Sequence, residues 1–170
     1  RDVPGHLDIG PVFPGDPVMA DDIVEFIGQP LFAVAATSHE AARKAARLAE
    51  VEYEPLEAVV TVSQALDKEF FVRPSQTQLR GNPDQALSQA PHRLTGEQVI
   101  GGQEHFYLEG QACLAEPTED RGMFVHTSSQ HPSEVQKLVA EVLGLPIHEV
   151  QTEVRRMGGG FGGKETQAAP

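Results

Sequence analysis

Tryptophan is absent from this 170-residue chain, and it contains a single cysteine, Cys113. One thiol excludes an internal disulfide and any cysteine-based zinc or iron–sulfur site built by this chain alone. Cys113 stands in the apolar run QACLA, with no positive neighbour to activate it, and is expected to be a buried, inert thiol. Basic residues are also few: Lys and Arg number 13 against 25 Asp and Glu, for a formal charge of −12. Repulsion at that charge argues against nucleic acid as a partner. No apolar run reaches the roughly 18 residues that a membrane helix needs. No signal-peptide pattern opens the chain, so a cytoplasmic protein with no membrane partner is expected.

What is present suits a folded domain. Apolar residues make up 39% of the chain, including eight Phe. A chain of this length buries roughly two thirds of its unfolded surface. The first twenty residues are dense in Gly and Pro and predict an extended loop. IVEFIG from Ile23 alternates as a strand does, Gly28-Gln29-Pro30 interrupts it, and LFAVAA continues as a buried-strand run, together a hairpin-like pair. Thr37 and Glu40 stand at capping-box spacing ahead of an alanine-rich helix expected to reach about Glu50, and VEYEPL then predicts a strand. Between Phe70 and His92 the pattern weakens, with a short helix expected only over Pro83 to Ser88.

Strand-like stretches follow: LTGEQVI, EHFYLE, ACLAEP and GMFVHTS, the last two joined by a turn at Glu119-Asp120-Arg121-Gly122. Pro132 suits the first turn of a helix, and Val135, Leu138, Val139, Val142 and Leu143 keep helical spacing up to a C-terminal cap at Gly144. A strand over Glu149 to Arg155 leads into RMGGGFGGKE, Arg156 to Glu165, with five glycines in six positions. Backbone without Cβ atoms allows close approach to a ligand and positive φ at little cost. Gly158, Gly160 and Gly163 match the dinucleotide pattern G-x-G-x-x-G, but the βαβ unit and distant acid which that fold requires are not in this sequence. Gly158 to Lys164 match G-x-x-x-x-G-K, but Glu165 replaces the magnesium-binding Ser or Thr, which counts against a phosphate-loop nucleotide-binding module. A glycine-rich crossover packed against other backbone is the purely structural alternative.

A second stretch, GGQEHFYLEGQ at Gly101 to Gln111, stands with RRMGGGFGGKE at a separation that resembles the large molybdenum-binding subunit of the molybdenum hydroxylase family. DVPG at Asp2 to Gly5, GQPLFAVAA with its alanine-rich helix, and VEYEPL resemble the family's hammerhead domain. The resemblance implies an α+β fold: a small α/β hammerhead-type domain over 1–70, a linker over 71–92, and over 93–170 the beginning of a mixed α+β molybdopterin-binding domain. It implies an N-terminal fragment of that subunit, within an oxidoreductase that hydroxylates hypoxanthine or xanthine toward urate. The cofactor is molybdenum–molybdopterin, whose metal is carried by a pterin dithiolene and needs no protein ligand.

Iron–sulfur clusters and FAD would lie on other domains or subunits. The implied partners are therefore a purine substrate, the rest of the molybdenum subunit and an iron–sulfur/flavin subunit or domain. Gln103 matches the family glutamine whose amide donates to an oxygen on the metal, and Phe161 and Gly162 match residues whose backbone lies against the metal centre. Glu165 matches a residue facing the substrate ring, and its carboxylate favours a purine over the aldehyde of the related aldehyde oxidoreductases. The family's base glutamate is not among these residues, so no catalytic residue is assigned within the chain and no turnover is expected of it alone.

Overall fold

The computed structural model describes residues 2–10 and 12–165. It divides the chain into two compact units, Arg1–Arg47 together with Gly102–Pro170, and Leu48–Gly101.

In the first unit, helix α1 spans His39–Ala46. Its N-cap is Ser38, whose Oγ accepts the Ala41 N–H at 3.2 Å. The expected Thr37–Glu40 capping box therefore lies one residue away from the cap that forms. The helix also ends at Ala46 instead of Glu50, with no buried residue to extend it. In the second unit, helix α2 spans Val62–Asp67 and helix α3 Pro83–Gln89. The α2 helix lies outside the elements expected from the sequence. Its signal was legible as T-x-x-Q: Thr61 and Gln64 make a reciprocal capping box. The α3 helix begins at the expected proline, after an Asn82 side chain that accepts the Gln85 N–H at 3.0 Å.

The remaining elements belong to the first unit. Strand β1 spans Cys113–Pro117, β2 Met123–Thr127, helix α4 Pro132–Leu143, and β3 Val150–Glu153. β1 pairs antiparallel with β2 and β2 parallel with β3, so β2 is central. The parallel pair needs a crossover, which α4 supplies. The turn expected at Glu119 to Gly122 forms with Arg121 at φ 67°. Gly144 takes φ 66° and closes α4 as expected, its N–H bonding back to Ala140 and Glu141 carbonyls.

Alternation along β2 and the apolar stripe of α4 build one core: Val125, Val135, Ala140 and Val150 are buried, with Met123, Val139 and Leu145 packed against them. Leu138 is buried as well. The N-terminal DVPG segment caps this layer. Gly5 and His6 donate their N–H groups to the Val142 and Glu141 carbonyls, both at 2.9 Å, and satisfy two of the acceptors that a helix C-terminus leaves open. A Cβ on Gly5 would overlap the Glu141 carbonyl oxygen.

Several expected strands are extended segments without a ladder. Residues 23–27, 31–36, 51–56, 94–100 and 104–107 have no strand partner among the described residues. A strand requires a neighbour to take its N–H and C=O groups, and an alternating pattern cannot provide one. Between the first two segments the reversal does form: Gly28 takes φ 95°, and the Glu25 N–H donates to Gln29 Oε1 at 2.8 Å. Cys113 is exposed on the edge strand β1 instead of buried. Desolvation by its surroundings still pushes its thiol pKa up, which disfavours the reactive thiolate.

Candidate functional site

The two glycine-bearing stretches meet in the first unit. The Glu109 N–H donates to the Gly158 carbonyl at 3.2 Å, and the Gly158 N–H returns to Glu109 Oε2 at 3.0 Å. Lys164 Nζ lies 2.7 Å from the same carboxylate oxygen and 4.9 Å from the centre of the Tyr107 ring. Gln111 Nε2 donates to the Gly163 carbonyl at 3.0 Å. Alternate residues His105, Tyr107, Glu109 and Gln111 thus form one side of a cradle for residues 158–164.

The other side comes from the β2–α4 connection. Ser129 Oγ and the Gln130 N–H both donate to the Lys164 carbonyl, at 3.0 and 2.9 Å. Gln130 Oε1 accepts the N–H groups of Gly162 and Lys164, at 3.1 and 3.3 Å. Glu109, Gln130 and Lys164 are not among the site residues that the sequence names. The sequence signals were the place of Glu109 within GGQEHFYLEGQ, a polar SSQ between a strand and a helix-starting proline, and a lysine whose position invites a phosphate reading.

Lys164 is fully buried. A buried cation must be paired, and Glu109 pairs it. The Lys164 hydrogen bond, then the Gly158 N–H, hold the Glu109 carboxyl below the usual glutamate range. A phosphate-loop lysine must reach out to its nucleotide, whereas this one is turned inward. The geometry therefore agrees with Glu165 in setting that reading aside.

The glycines divide by function. A Cβ on Gly158 would overlap Glu109, one on Gly160 would overlap the Gln130 side chain, and one on Gly163 would stand 2.6 Å from Tyr107 Cε1. On Gly159 it would stand 3.1 Å from both Tyr107 and Phe161. These four allow the protein's own side chains to close in. Gly162 differs: a Cβ there would meet only His105 Nε2, at an ordinary contact distance of 3.8 Å, so nothing crowds this position, while its φ of 90° disfavours any other residue. Phe161 beside it holds φ 53°, an unusual state for a bulky residue, and the residue is 76% exposed. Strain of this kind, held by surrounding bonds, gathers at ligand sites.

Of the residues named from sequence, Phe161, Gly162 and Glu165 share this loop, and Glu165 is exposed. Gln103 is exposed two residues before His105, whose ring borders Gly162 and Gly163, and among the described residues it makes no hydrogen bond. The histidines stay dispersed. His126 Nδ1 and Nε2 lie 3.0 and 3.4 Å from Glu153 and Glu116 across the three strands, while His131 pairs with Glu134 at 2.7 Å. No group of three or more His, Cys, Asp or Glu among the described residues is arranged to hold a metal ion. No helix among them is long and apolar enough to cross a membrane.

Comparison with known proteins places this geometry in a family. Residues 34–170 match the model described as the molybdopterin cofactor-binding domain, and residues 1–57 match that of the aldehyde oxidase and xanthine dehydrogenase a/b hammerhead domain. The chain belongs to the molybdopterin cofactor-binding domain family, with a hammerhead domain at its front. Similar curated proteins include xanthine dehydrogenase of Drosophila subobscura, 45% identical over 162 residues, covering 94% of this chain and 12% of the relative. Xanthine dehydrogenase/oxidase of Gallus gallus is 39% identical over 168 residues, covering 98% of this chain and 12% of the relative. Among solved structures, quinoline 2-oxidoreductase from Pseudomonas putida 86 superposes with a TM-score of 0.74 at 25% identity, over 94% of this chain and 22% of that one. The chain thus spans about 12% of the length of these two curated relatives.

Proposed function

We propose that this chain forms one wall of the molybdenum–pterin site of a purine-hydroxylating oxidoreductase of the xanthine dehydrogenase type, acting on hypoxanthine or xanthine within a larger protein. The carrying observation is the Phe161–Gly162 backbone: it is held in a left-handed turn by protein contacts, yet Gly162 is the one glycine of this loop at which a Cβ would meet no close contact. That cradle fits a bulky group carried by its own pterin, which asks the protein for backbone and amide donors and not for ligands.

When bound, the molybdenum–pterin group supplies oxygen transfer to an electron-poor ring carbon and takes up the electrons released. The chain's own residues place and polarise. Gln103 would supply a neutral amide donor to that group, which leaves the local charge unchanged. Phe161 and Gly162 set the floor, held in one backbone conformation and without a Cβ at Gly162 to obstruct the group. Glu165, exposed at the loop's end, hydrogen-bonds purine heteroatoms and selects purine over aldehyde. The domain boundaries at 1–70, 71–92 and 93–170 belong to this reading, as do a cytoplasmic location and an iron–sulfur/flavin partner that drains electrons.

The test is purine turnover by the complete protein that carries this chain, followed as urate formation with an added electron acceptor. Glu165→Ala should lower kcat/KM for xanthine by about 10- to 100-fold, the worth of a hydrogen bond to a charged group. Turnover of aldehydes with no purine activity would refute the purine assignment, and a Glu165→Ala protein that keeps full xanthine turnover would refute the role given to Glu165.

A further inference from the structure

We propose that Gln130 is a positioning residue for the Phe161–Gly162 backbone: its side-chain carbonyl clamps the N–H groups of Gly162 and Lys164 and so holds the left-handed turn in the form the cofactor site uses. The clamp stands on geometry alone; its consequence for catalysis rests on the function proposed above.

Three features converge on this side chain. First, Oε1 takes two N–H groups from residues on either side of Gly163, at 3.1 and 3.3 Å, and a carbonyl oxygen has two lone pairs for that purpose. Second, its position is pinned from behind. The Gln130 N–H binds the Lys164 carbonyl at 2.9 Å, and Ser129, itself buried, binds the same oxygen at 3.0 Å. Backbone and side chain of one residue thus grip both backbone polar groups of Lys164. Third, the space that Oε1 occupies is created by Gly160, where any Cβ would displace it.

Across the clamped turn, the Gly163 N–H bonds to the Gly160 carbonyl at 2.7 Å, and Phe161 is carried at φ 53° between them. Because the Gly162 N–H is already spent on Gln130, its contribution at the site is the bare α-carbon face and not a free donor. Gln130 touches no substrate in this scheme and acts through the backbone it holds.

The experiment has two arms. In the 170-residue chain, amide exchange at Gly162 and Lys164 is compared between wild type, Gln130→Met and Gln130→Glu. Met keeps the volume and removes the acceptor, so both amides should exchange about tenfold faster, while Val125 and Val135 in the core are unchanged. Glu retains two-fold acceptance and should restore protection. Exchange at Gly162 within about twofold of wild type in Gln130→Met would overturn the proposal. If that variant loses its core protection as well, Gly160→Ala decides instead, since it displaces the carbonyl without removing it. Faster exchange at Gly162 supports the clamp, and unchanged exchange sinks it.

In the complete, cofactor-loaded protein, Gln130→Met should lower kcat for the turned-over substrate with KM held, and Gln130→Glu should recover most of it. Equal kcat in wild type and Gln130→Met would overturn the positioning role. Lost protection together with aldehyde-only turnover would fault the purine reading and leave the clamp standing. Intact protection together with xanthine turnover would do the reverse.

Discussion

Gly163→Ala isolates the close approach of the two glycine-bearing stretches. The new Cβ would stand 2.6 Å from Tyr107 Cε1 and 2.9 Å from His105 Nδ1, against about 3.5–4.0 Å for an ordinary carbon contact. Gly163 is not among the residues with positive φ, so the cost is steric and not conformational. Both rings must retreat by about 1 Å, and Tyr107 then loosens from the Lys164 ammonium that it covers at 4.9 Å. Overpacking of this kind costs about 1–3 kcal/mol, part of it the lost cation–π contact of roughly 0.5–2 kcal/mol. Native-state exchange at the Gly158 and Lys164 amides reads the change as roughly 5- to 150-fold faster opening. In a double-mutant cycle, Tyr107→Ala should relieve more than about 0.5 kcal/mol of the penalty, because the ring is what the methyl meets. A penalty below that figure, or one indifferent to Tyr107, would show that the loop is not packed beneath these rings.

Two further outcomes are expected. The Glu109 carboxyl is held below its ordinary value by Lys164, so its contribution is fully present above the unfolded glutamate pKa of about 4.3 and is lost as pH falls through the lower folded value. Loop protection, corrected for intrinsic exchange, should therefore stay level from about pH 7 to 5 and decline below the unfolded value. A decline already under way between about pH 7 and 5 would contradict this assignment. Separately, Leu138→Ala should remove about 2–5 kcal/mol from the first unit in urea unfolding, since the side chain is buried and the cavity cannot fully collapse. A loss below about 1 kcal/mol would mean that Leu138 packs far less tightly than its burial implies.

Local rules were legible wherever an element carries its own signal. Pro132 and Gly144 bound α4 because a missing N–H suits a first turn and an αL residue suits a cap, and neither depends on distant residues. The ACLAEP and GMFVHTS strands were legible because a short turn joins them and makes each the other's partner. IVEFIG, LFAVAA, VEYEPL, LTGEQVI and EHFYLE also read as strands and remain without a ladder among the described residues, because pairing is a property of two segments. The exposure of Cys113 escaped for a related reason: an apolar neighbourhood in sequence does not tell which face of an edge strand is covered.

The sequence by itself determined the family, since GGQEHFYLEGQ and RMGGGFGGKE carry that likeness in residue types alone. Only the tertiary structure decided why those glycines are there. Four of them admit Glu109, Gln130, Tyr107, His105 and Phe161, side chains either distant in sequence or folded back from the loop itself, and at Gly162 alone nothing crowds the position. The same holds for Lys164, which by sequence could serve a phosphate and by packing is sealed against Glu109. Residue types declare what a backbone permits, but which atoms fill or vacate the space beside it depends on segments tens of residues apart coming into contact.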